Sequence, residues 1–466
     1  MTNFISTRIN NLPEPLRKAS PALRSLLNNQ GLKLLQSCLP KDLSLFVVGG
    51  SVRDTLLGRQ VSDLDLACDG EITLFSRIFQ NSGLRVIETG LQHNTVTILI
   101  PPDSSHIELT SLRSGMTDGD IHQRLVADLK LRDFTINSAA IDPLTEELIC
   151  PAALPGDITR KLIVTTGNAE DRFKEDPLRI MRALRFACEL SYSIEDDSWN
   201  TICKLAPLLA TTAVERIRSE FEKILTSPAP DRGLEMLLQS GILQRYFPEL
   251  FAFKKFEQNK FHSDDLFVHT LKVISKTSPN LVLRLAALLH DVGKPTTLTI
   301  DPDTGDRHFY RHESVGAEIT SSFLEKWRFS HQIQSEVKTL VATHMRPLVS
   351  GDSSKRRLLR DTGDLFPLWR ELKYADASSC MMEKTQLEHE LQQFDNDIAR
   401  LTAEPLTLTR KHLAINGRNL LNAGIPQGER LGEIIDALLE MVIETPELND
   451  YDTLMAEALK MFGNNH

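Results

Sequence analysis

The chain has 466 residues, 41% hydrophobic and 25% charged, which suits a soluble globular protein with two or more cores. No apolar run is long enough to cross a bilayer, and the opening stretch MTNFISTRINNLPEPLRK has no apolar secretory core, so a cytoplasmic location without a membrane is expected. A net charge of −10 excludes nucleic-acid binding by bulk charge and leaves only a local basic cleft for such a ligand.

Residues 1 to about 40 read as helical, with Leu23, Leu26, Leu27, Leu32, Leu34 and Leu35 at mixed helical spacing, a break at Gly31 and a stop at Pro40. A docking extension without chemistry is expected there. Phe46-Val47-Val48 predicts a short buried strand. Gly49-Gly50 then allows a tight turn and close approach to a ligand. Ser51 is expected to cap a helix from Val52 to Leu57, and Gly58 to end it. Asp63-Leu64-Asp65-Leu66 alternates as a half-buried strand does, so Asp63 and Asp65 share a face. Paired carboxylates are hard oxygen ligands for Mg²⁺, and backbone N–H groups at a helix start cradle phosphate. Arg53 can add a charge-assisted contact. The plainer alternative is two solvated aspartates beside an ordinary turn.

GG-x-VRD-x-LLG from Gly49 to Gly58, followed by D-x-D, resembles the head of the class II tRNA nucleotidyltransferase/poly(A) polymerase family, to which CCA-adding enzymes belong. The resemblance implies a small mixed sheet with helices, two Mg²⁺-binding aspartates and nucleotide transfer to an RNA 3′ end.

Strand-like runs follow at Val86-Ile87, Thr95–Ile100 and His106–Thr110, with Pro101-Pro102-Asp103 as a hairpin turn. Glu108 is a candidate third carboxylate if its strand lies beside that of Asp63 and Asp65; otherwise it is a surface glutamate. After a polar loop at Ser114–Gln123, Asp128–Asn137 reads DLKLRDFTIN and resembles the family's RRDFTIN motif, with Leu131 in place of its first arginine. The resemblance sets Arg132 and Asp133 against the nucleotide's sugar and phosphates. The loop is shorter than in a full CCA-adding enzyme, which keeps CC-only addition open. Pro151–Gly156 punctuates the chain before a helical remainder, and Asp157-Ile158 resembles a short family connector.

Asp171–Leu190 contains Glu175-Asp176-x-x-Arg179-x-x-Arg182, which is similar to the family's EDxxRxxR motif. Asp176 only accepts and Arg179 donates a fork. Cytosine and adenine each present an amino donor beside a ring-nitrogen acceptor, so one Asp–Arg pair suits both. Guanine and uracil present the reverse order and would leave both protein groups unmatched, at about 1–3 kcal/mol each. Arg182 is better placed for triphosphate. Val214–Leu225 resembles an ERxxxE helix through Glu215, Arg216 and Glu220, and is expected to brace the region by ion pairs.

Farther on, His269 lies on an apolar helix, and His290-Asp291 ends the apolar run Leu281–Leu289 ahead of Val292-Gly293-Lys294. His312, His344 and Asp376 follow. The series resembles the HD phosphohydrolase superfamily. Imidazoles with carboxylates suit Ni²⁺, Mn²⁺ or Co²⁺. His269, His290, Asp291 and Asp376 would form one site; His312 and His344 would hold a second metal or bind phosphate. Ile415–Gly463 resembles the RNA-contacting tail of such enzymes. Cys38, Cys68, Cys150, Cys188, Cys203 and Cys380 are scattered without C-x-x-C spacing, which argues for reduced thiols rather than a disulfide framework or a zinc site.

The expected fold is α+β: a small mixed-sheet nucleotidyltransferase head, then an all-α neck, body, HD domain and tail. The expected boundaries are an N-terminal extension at 1–40, head at 41–150, neck at 151–226, body at 227–262, HD domain at 263–385 and tail at 386–466. The expected reaction is Mg²⁺-dependent addition of C and A from CTP and ATP to tRNA, with no role for DNA. Asp63, Asp65 and Glu108 are the catalytic candidates. Gly49, Gly50, Arg53, Arg132, Asp133, Asp176, Arg179 and Arg182 are the nucleotide-binding ones. The alternatives are CC-only or A-only addition, a poly(A) polymerase, or a phosphohydrolase with a nucleotide-binding head.

Overall fold

The computed structural model describes residues 3–463 except 62, 89, 92–93, 103–104, 113–119, 259–263, 382 and 404–407. It divides into two compact units, Met1–Phe221 with Gln239–Gly241, and Glu222–Leu238 with Ile242–His466. No described helix is long and apolar enough to cross a membrane.

The first unit is built on strands β1 (Phe4–Arg8), β2 (Leu45–Val48), β3 (Leu64–Cys68), β4 (Arg85–Ile87), β5 (Thr95–Ile100), β6 (Ser105–Ser111), β7 (Ala140–Asp142) and β8 (Glu147–Pro151). They form one eight-stranded sheet in the order β1-β8-β7-β2-β3-β6-β5-β4. Only β3 and β6 run parallel; the other neighbours are antiparallel. Of the turn expected at Pro101-Pro102-Asp103, Asp103 lies outside the described residues.

Alternation decides which side chains go inward. Phe46, Val48, Ala67, Ala140 and Ile149 face one way and pack against Leu125 and Leu129 of the helix Ile121–Lys130. Each large apolar side chain so buried contributes roughly 1.5–3 kcal/mol. With these positions committed to the core, Asp65 is left on a strand whose other residues are buried.

The N-terminal segment differs from expectation. Phe4–Arg8 is a strand rather than helix and pairs antiparallel with β8, Phe4 opposite Pro151 and Arg8 opposite Glu147. An open edge offers unpaired N–H and C=O groups, and a short segment with Ile5 and Thr7 satisfies them. Helices follow at Ser20–Leu27 and Gln30–Cys38. The break between them falls at Asn28-Asn29, where the Asn29 side chain caps the second helix, not at Gly31. Gly31 lies inside that helix, where a Cβ would meet Ile107 Cδ1 at 2.9 Å, so its lack of a side chain serves close packing rather than a break.

Beyond residue 150 the described residues are mostly helical, and two strand pairs among them depart from the all-α expectation. Leu162–Ile163 and Ser193–Ile194 form a parallel pair. Leu298–Ile300 and Arg307–Phe309 form a hairpin, turned by Asp301, which accepts from the backbone of Asp303 and Thr304 at 2.9 Å each. The second unit ends in the helices Gly417–Asn422, Glu429–Glu444 and Tyr451–Gly463, which share a core around Leu420, Leu438, Val442 and Leu454.

Candidate active site and histidine centre

The helix after β2 starts at Gly49 and runs to Leu56. Gly49 has φ +65°, and a Cβ there would stand 2.8 Å from Arg132 Nη1. A Cβ on Gly50 would stand 2.9 Å from Asp65 Oδ2. The two glycines therefore let a carboxylate and a guanidinium close on the first turn, where orphan N–H groups favour an anion. Ser51 is not the cap. Its Oγ donates to Asp63 O at 2.9 Å and accepts from Asp65 N at 2.7 Å, pinning the helix to the strand between the two aspartates.

Asp65 and Glu108 are register partners on β3 and β6. Burial, reinforced by Glu108, raises the Asp65 pKa above the ordinary carboxylate value against the opposing pull of Arg132 and Arg53. Asp63 is about half exposed, with Oδ1 2.9 Å from His106 Nε2 on β6. Burial thus disfavours the charge on Asp65 alone, Glu108 beside it being exposed; carboxylate oxygens are hard donors of the kind a divalent cation takes.

A hydrogen-bond chain runs from this turn to the arginine-bearing helix Leu178–Leu190. Arg53 Nη1 donates to Asn137 Oδ1 at 2.8 Å, Asn137 Nδ2 donates to Asp133 Oδ1 at 2.9 Å, and Arg182 Nε donates to Asp133 Oδ2 at 2.7 Å. Burial alone would raise the Asp133 pKa, but Arg182, Asn137 and the Phe134 amide override it and hold the carboxyl below the usual range. Both oxygens of Asp133 are thus engaged within the protein. Arg53, Arg182 and Arg185 all stand over the Phe186 ring, at 5.1, 5.4 and 4.2 Å from its centroid.

Asp176 and Arg179 are joined through the backbone, Arg179 N donating to Asp176 O at 3.0 Å, while their side chains go to other partners. Arg216 Nη2 donates to Asp176 Oδ2 at 3.1 Å. Arg179 donates to Glu175 Oε2 at 2.7 Å and to Leu131 O at 3.0 Å. Arg132 is held by Asp128 Oδ2 at 3.1 Å. On the helix Val214–Leu225, Glu220 Oε2 lies 3.2 Å from Arg185 Nε, while Arg216 reaches the candidate base-reading aspartate. Of the loop at Ser114–Gln123, residues 114–119 fall outside the described residues; Asp120 caps the next helix through Gln123 N.

In the second unit the helices Leu266–Ser275 and Leu281–Leu289, the start of His312–Lys326, the end of His331–Thr343 and the helix Phe366–Ala377 bring six side chains together. Asp291 stands in the middle. Its Oδ2 is 3.1 Å from His290 Nε2 and 3.7 Å from His269 Nε2; its Oδ1 is 3.3 Å from His312 Nε2 and 3.7 Å from His344 Nε2. Asp376 Oδ1 is 3.2 Å from His269 Nε2.

The tautomers follow from the carbonyls. Nδ1 of His290, His312 and His344 lies 2.9, 2.8 and 2.6 Å from the oxygens of Ala287, Phe309 and Val341. A carbonyl only accepts, so each neutral ring carries its proton on Nδ1 and turns a lone pair on Nε2 inward. The Nε2 atoms of His312 and His344 are 3.3 Å apart, as are those of His269 and His290. Two inward lone pairs at that spacing fit two ligands about 2.1 Å from a shared cation. His269, His290 and Asp291 form one group of donors that could hold a metal ion, and Asp291, His312 and His344 form another. Burial lowers the His344 pKa, favouring the neutral ligand form. Burial opposes charge on Asp291 as well, yet His290 and Lys294 hold it well below the usual carboxylate range.

Sequence spacing did not reveal several of these partners. Lys294 Nζ donates to Gln258 Oε1 at 2.8 Å and lies 2.7 Å from Asp291 Oδ2. Gly293 is required because a Cβ would strike His312 O at 2.2 Å. His106, Phe186 and Cys380 carry no local motif, and Ser51 and Asn137 lie within motifs whose partners along the chain only the fold supplies.

An eight-stranded mixed sheet followed by helices is the fold of solved CCA-adding enzymes. The Bacillus stearothermophilus CCA-adding enzyme in complex with CTP superposes with a TM-score of 0.69 over 97% of this chain and 99% of that one, at 24% identity. The Thermotoga maritima CCA-adding enzyme complexed with tRNA gives 0.52 over 99% and 100%, at 19% identity. The family model for the Poly A polymerase head domain matches residues 45–164, that for the polymerase A RNA- and SrmB-binding site 191–254, and that for tRNA nucleotidyltransferase domain 2 312–458. A CCA-adding enzyme from Levilactobacillus brevis is 30% identical over 96% of this chain and 99% of its own length. An A-adding tRNA nucleotidyltransferase from Deinococcus radiodurans is 30% identical over 84% and 90%. The chain belongs to the tRNA nucleotidyltransferase family of CCA-adding and A-adding enzymes.

Proposed function

We propose that the chain extends tRNA 3′ ends without a nucleic-acid template, adding C and A from CTP and ATP. The observation that carries this reading is the hydrogen-bond chain Arg53–Asn137–Asp133–Arg182, which joins the carboxylate turn to the arginine helix. Mg²⁺ would be held by Asp63 and Asp65, with Glu108 beside them; bound there, it supplies charge neutralisation and lowers the pKa of the attacking 3′-hydroxyl. The first-turn amide of Gly50 meets a phosphate oxygen, the Gly49 amide being held by Ala139 O at 3.1 Å, and Arg53, Arg132 and Arg182 balance the phosphate charge. Asp133 acts by orienting Arg182. Asp176 accepts from the exocyclic amine of cytosine or adenine and Arg179 donates to the ring nitrogen, once Arg216 releases Asp176.

The domain division goes with this reading: extension 1–40, head 41–150, neck 151–226, body 227–262, a metal-binding HD domain 263–385 and tail 386–466. Six His and Asp side chains, five of them gathered around the carboxylate of Asp291, support a second activity, phosphoester hydrolysis, in the HD domain. The A-adding relative supports A-only addition as the alternative transfer reaction.

The test is purified protein with tRNA ending at the discriminator base, CTP, ATP or both, and Mg²⁺. Growth by CCA supports the proposal, and growth of CC-ended tRNA by A alone supports the alternative. No growth of either substrate overturns both.

A further inference from the structure

Cys380 lies four residues after Asp376, just past the end of the helix Phe366–Ala377. Helical spacing brings its thiol to the face that carries the carboxylate. Its Sγ is 3.9 Å from Asp376 Oδ1. Sγ, a His269 ring nitrogen and an Asp376 oxygen all lie within 4.8 Å of one another. Ligands about 2.1–2.3 Å from one cation stand roughly 3–4 Å apart, a spacing that Asp376 Oδ1 keeps to both Cys380 Sγ at 3.9 Å and His269 Nε2 at 3.2 Å. The thiol donates to Asp376 O at 3.4 Å, and a small rotation about its χ1 turns it toward the carboxylate instead. It also lines a cavity of 710 Å³ together with Lys272, Lys276, Ser379 and Met381, which gives ions and reagents a way in.

We propose that Cys380 is a thiolate ligand of the histidine–aspartate centre, completing the half formed by His269, His290 and Asp376. The inference rests on metal occupancy of that centre, as read above. On binding, the S–H proton leaves to solvent and a sulfur–metal bond forms. The other half, Asp291 with His312 and His344, contains no sulfur. The two positions therefore differ in softness: the Cys380 half selects Zn²⁺ or Co²⁺, and the all-nitrogen-and-oxygen half also accepts Mn²⁺ or Ni²⁺.

The experiment uses the full chain, stripped with chelator and reloaded with Co²⁺ under dialysis. The expected result is a near-ultraviolet thiolate-to-cobalt charge-transfer band in the wild type that is absent from Cys380→Ser, with Co²⁺ affinity reduced at least about tenfold. In parallel, Co²⁺ should protect Cys380 from iodoacetamide, mapped by mass spectrometry, while the exposed Cys203 alkylates equally with and without metal. Bound Co²⁺ with no such band and no protection overturns the role of Cys380 and leaves the centre standing. No Co²⁺ bound by the wild type overturns the metal reading of the centre and this inference with it. Should the serine variant fail to fold, the wild-type band and the protection experiment still decide.

Discussion

Arg182 and Asp133, separated by 49 residues, form a mostly buried pair, Nε at 2.7 Å and Nη2 at 2.6 Å from the same carboxylate oxygen. The pair joins the RDFTIN segment to the arginine helix, and Asn137 extends it to Arg53. A guanidinium fixed this way is preorganised to meet an anion without rearranging.

Replacing Asp133 by Ala should therefore cost both stability and chemistry. Breaking a buried pair strands the remaining charge, at about 3 kcal/mol. Denaturant melts should show that loss, and nucleotide incorporation should fall with it. The pH dependence has a definite sign. The folded Asp133 pKa lies below its unfolded value near 3.9, so its contribution is complete above that value and disappears as pH falls through the lowered one. Asp133→Asn should lose this acid limb, which melts across pH 2–5 on the order of that window would reveal. Equal acid sensitivity in the two proteins would remove Asp133 from the account.

Asp65 should behave in the opposite way. Burial beside Glu108 raises its folded pKa, so its ionisation costs stability, a cost absent at low pH that grows as pH rises through the raised value. Asp65→Asn should stabilise the metal-free protein at neutral pH by about 1 kcal/mol while abolishing transfer. Mg²⁺ should raise the melting temperature of the wild type and leave the variant unmoved.

Gly50→Ala tests the close approach at the helix start. The new methyl would stand 2.9 Å from Asp65 Oδ2, so the carboxylate must shift. A displacement approaching 1 Å costs roughly 100-fold in turnover. Gly156→Ala is the control, since nothing lies within 4 Å of its Cβ position. Comparable activity in the two variants would show that the head tolerates a looser turn.

Local patterns were readable from the sequence because the spacing itself fixes the geometry. Alternation over Asp63–Leu66 marked a strand that spans Leu64–Cys68 in the structure, and the apolar run Leu281–Leu289 is a helix with His290 at its end. Partners supplied from far along the chain were not readable. Phe4–Arg8 became a strand because residues 147–151 offered an open edge. Asp133 was read as a sugar contact, but its oxygens go to Asn137 and Arg182. Phe186 drew no reading from the sequence, yet three guanidiniums stand over its ring. Cysteine spacing hid Cys380 because its neighbouring ligands are His269 and Asp376, not other cysteines.

Asp291→Ala should remove both ions from the histidine centre at once, because its two oxygens face different histidine pairs. His344→Ala should remove only one. Metal analysis of dialysed protein should read two, none and one equivalents for wild type, Asp291→Ala and His344→Ala. Loss of a single ion from Asp291→Ala would mean that the carboxylate does not bridge.

The last test concerns base choice. Arg216 holds Asp176 at 3.1 Å, both side chains being partly exposed, and such a pair is worth about 1 kcal/mol or less. Arg216→Ala should thus leave stability within about 0.5 kcal/mol of wild type and ease nucleotide entry, seen as a lower KM for CTP. Asp176→Asn should act differently. A carboxylate accepts from the amine of cytosine and repels the carbonyl of uracil, whereas an amide can turn its NH₂ toward that carbonyl. Discrimination of CTP over UTP should drop roughly 10- to 100-fold, the worth of one mismatched buried polar contact. Competition between the two nucleotides on one tRNA reads this ratio directly. An unchanged ratio would show that Asp176 does not face the base.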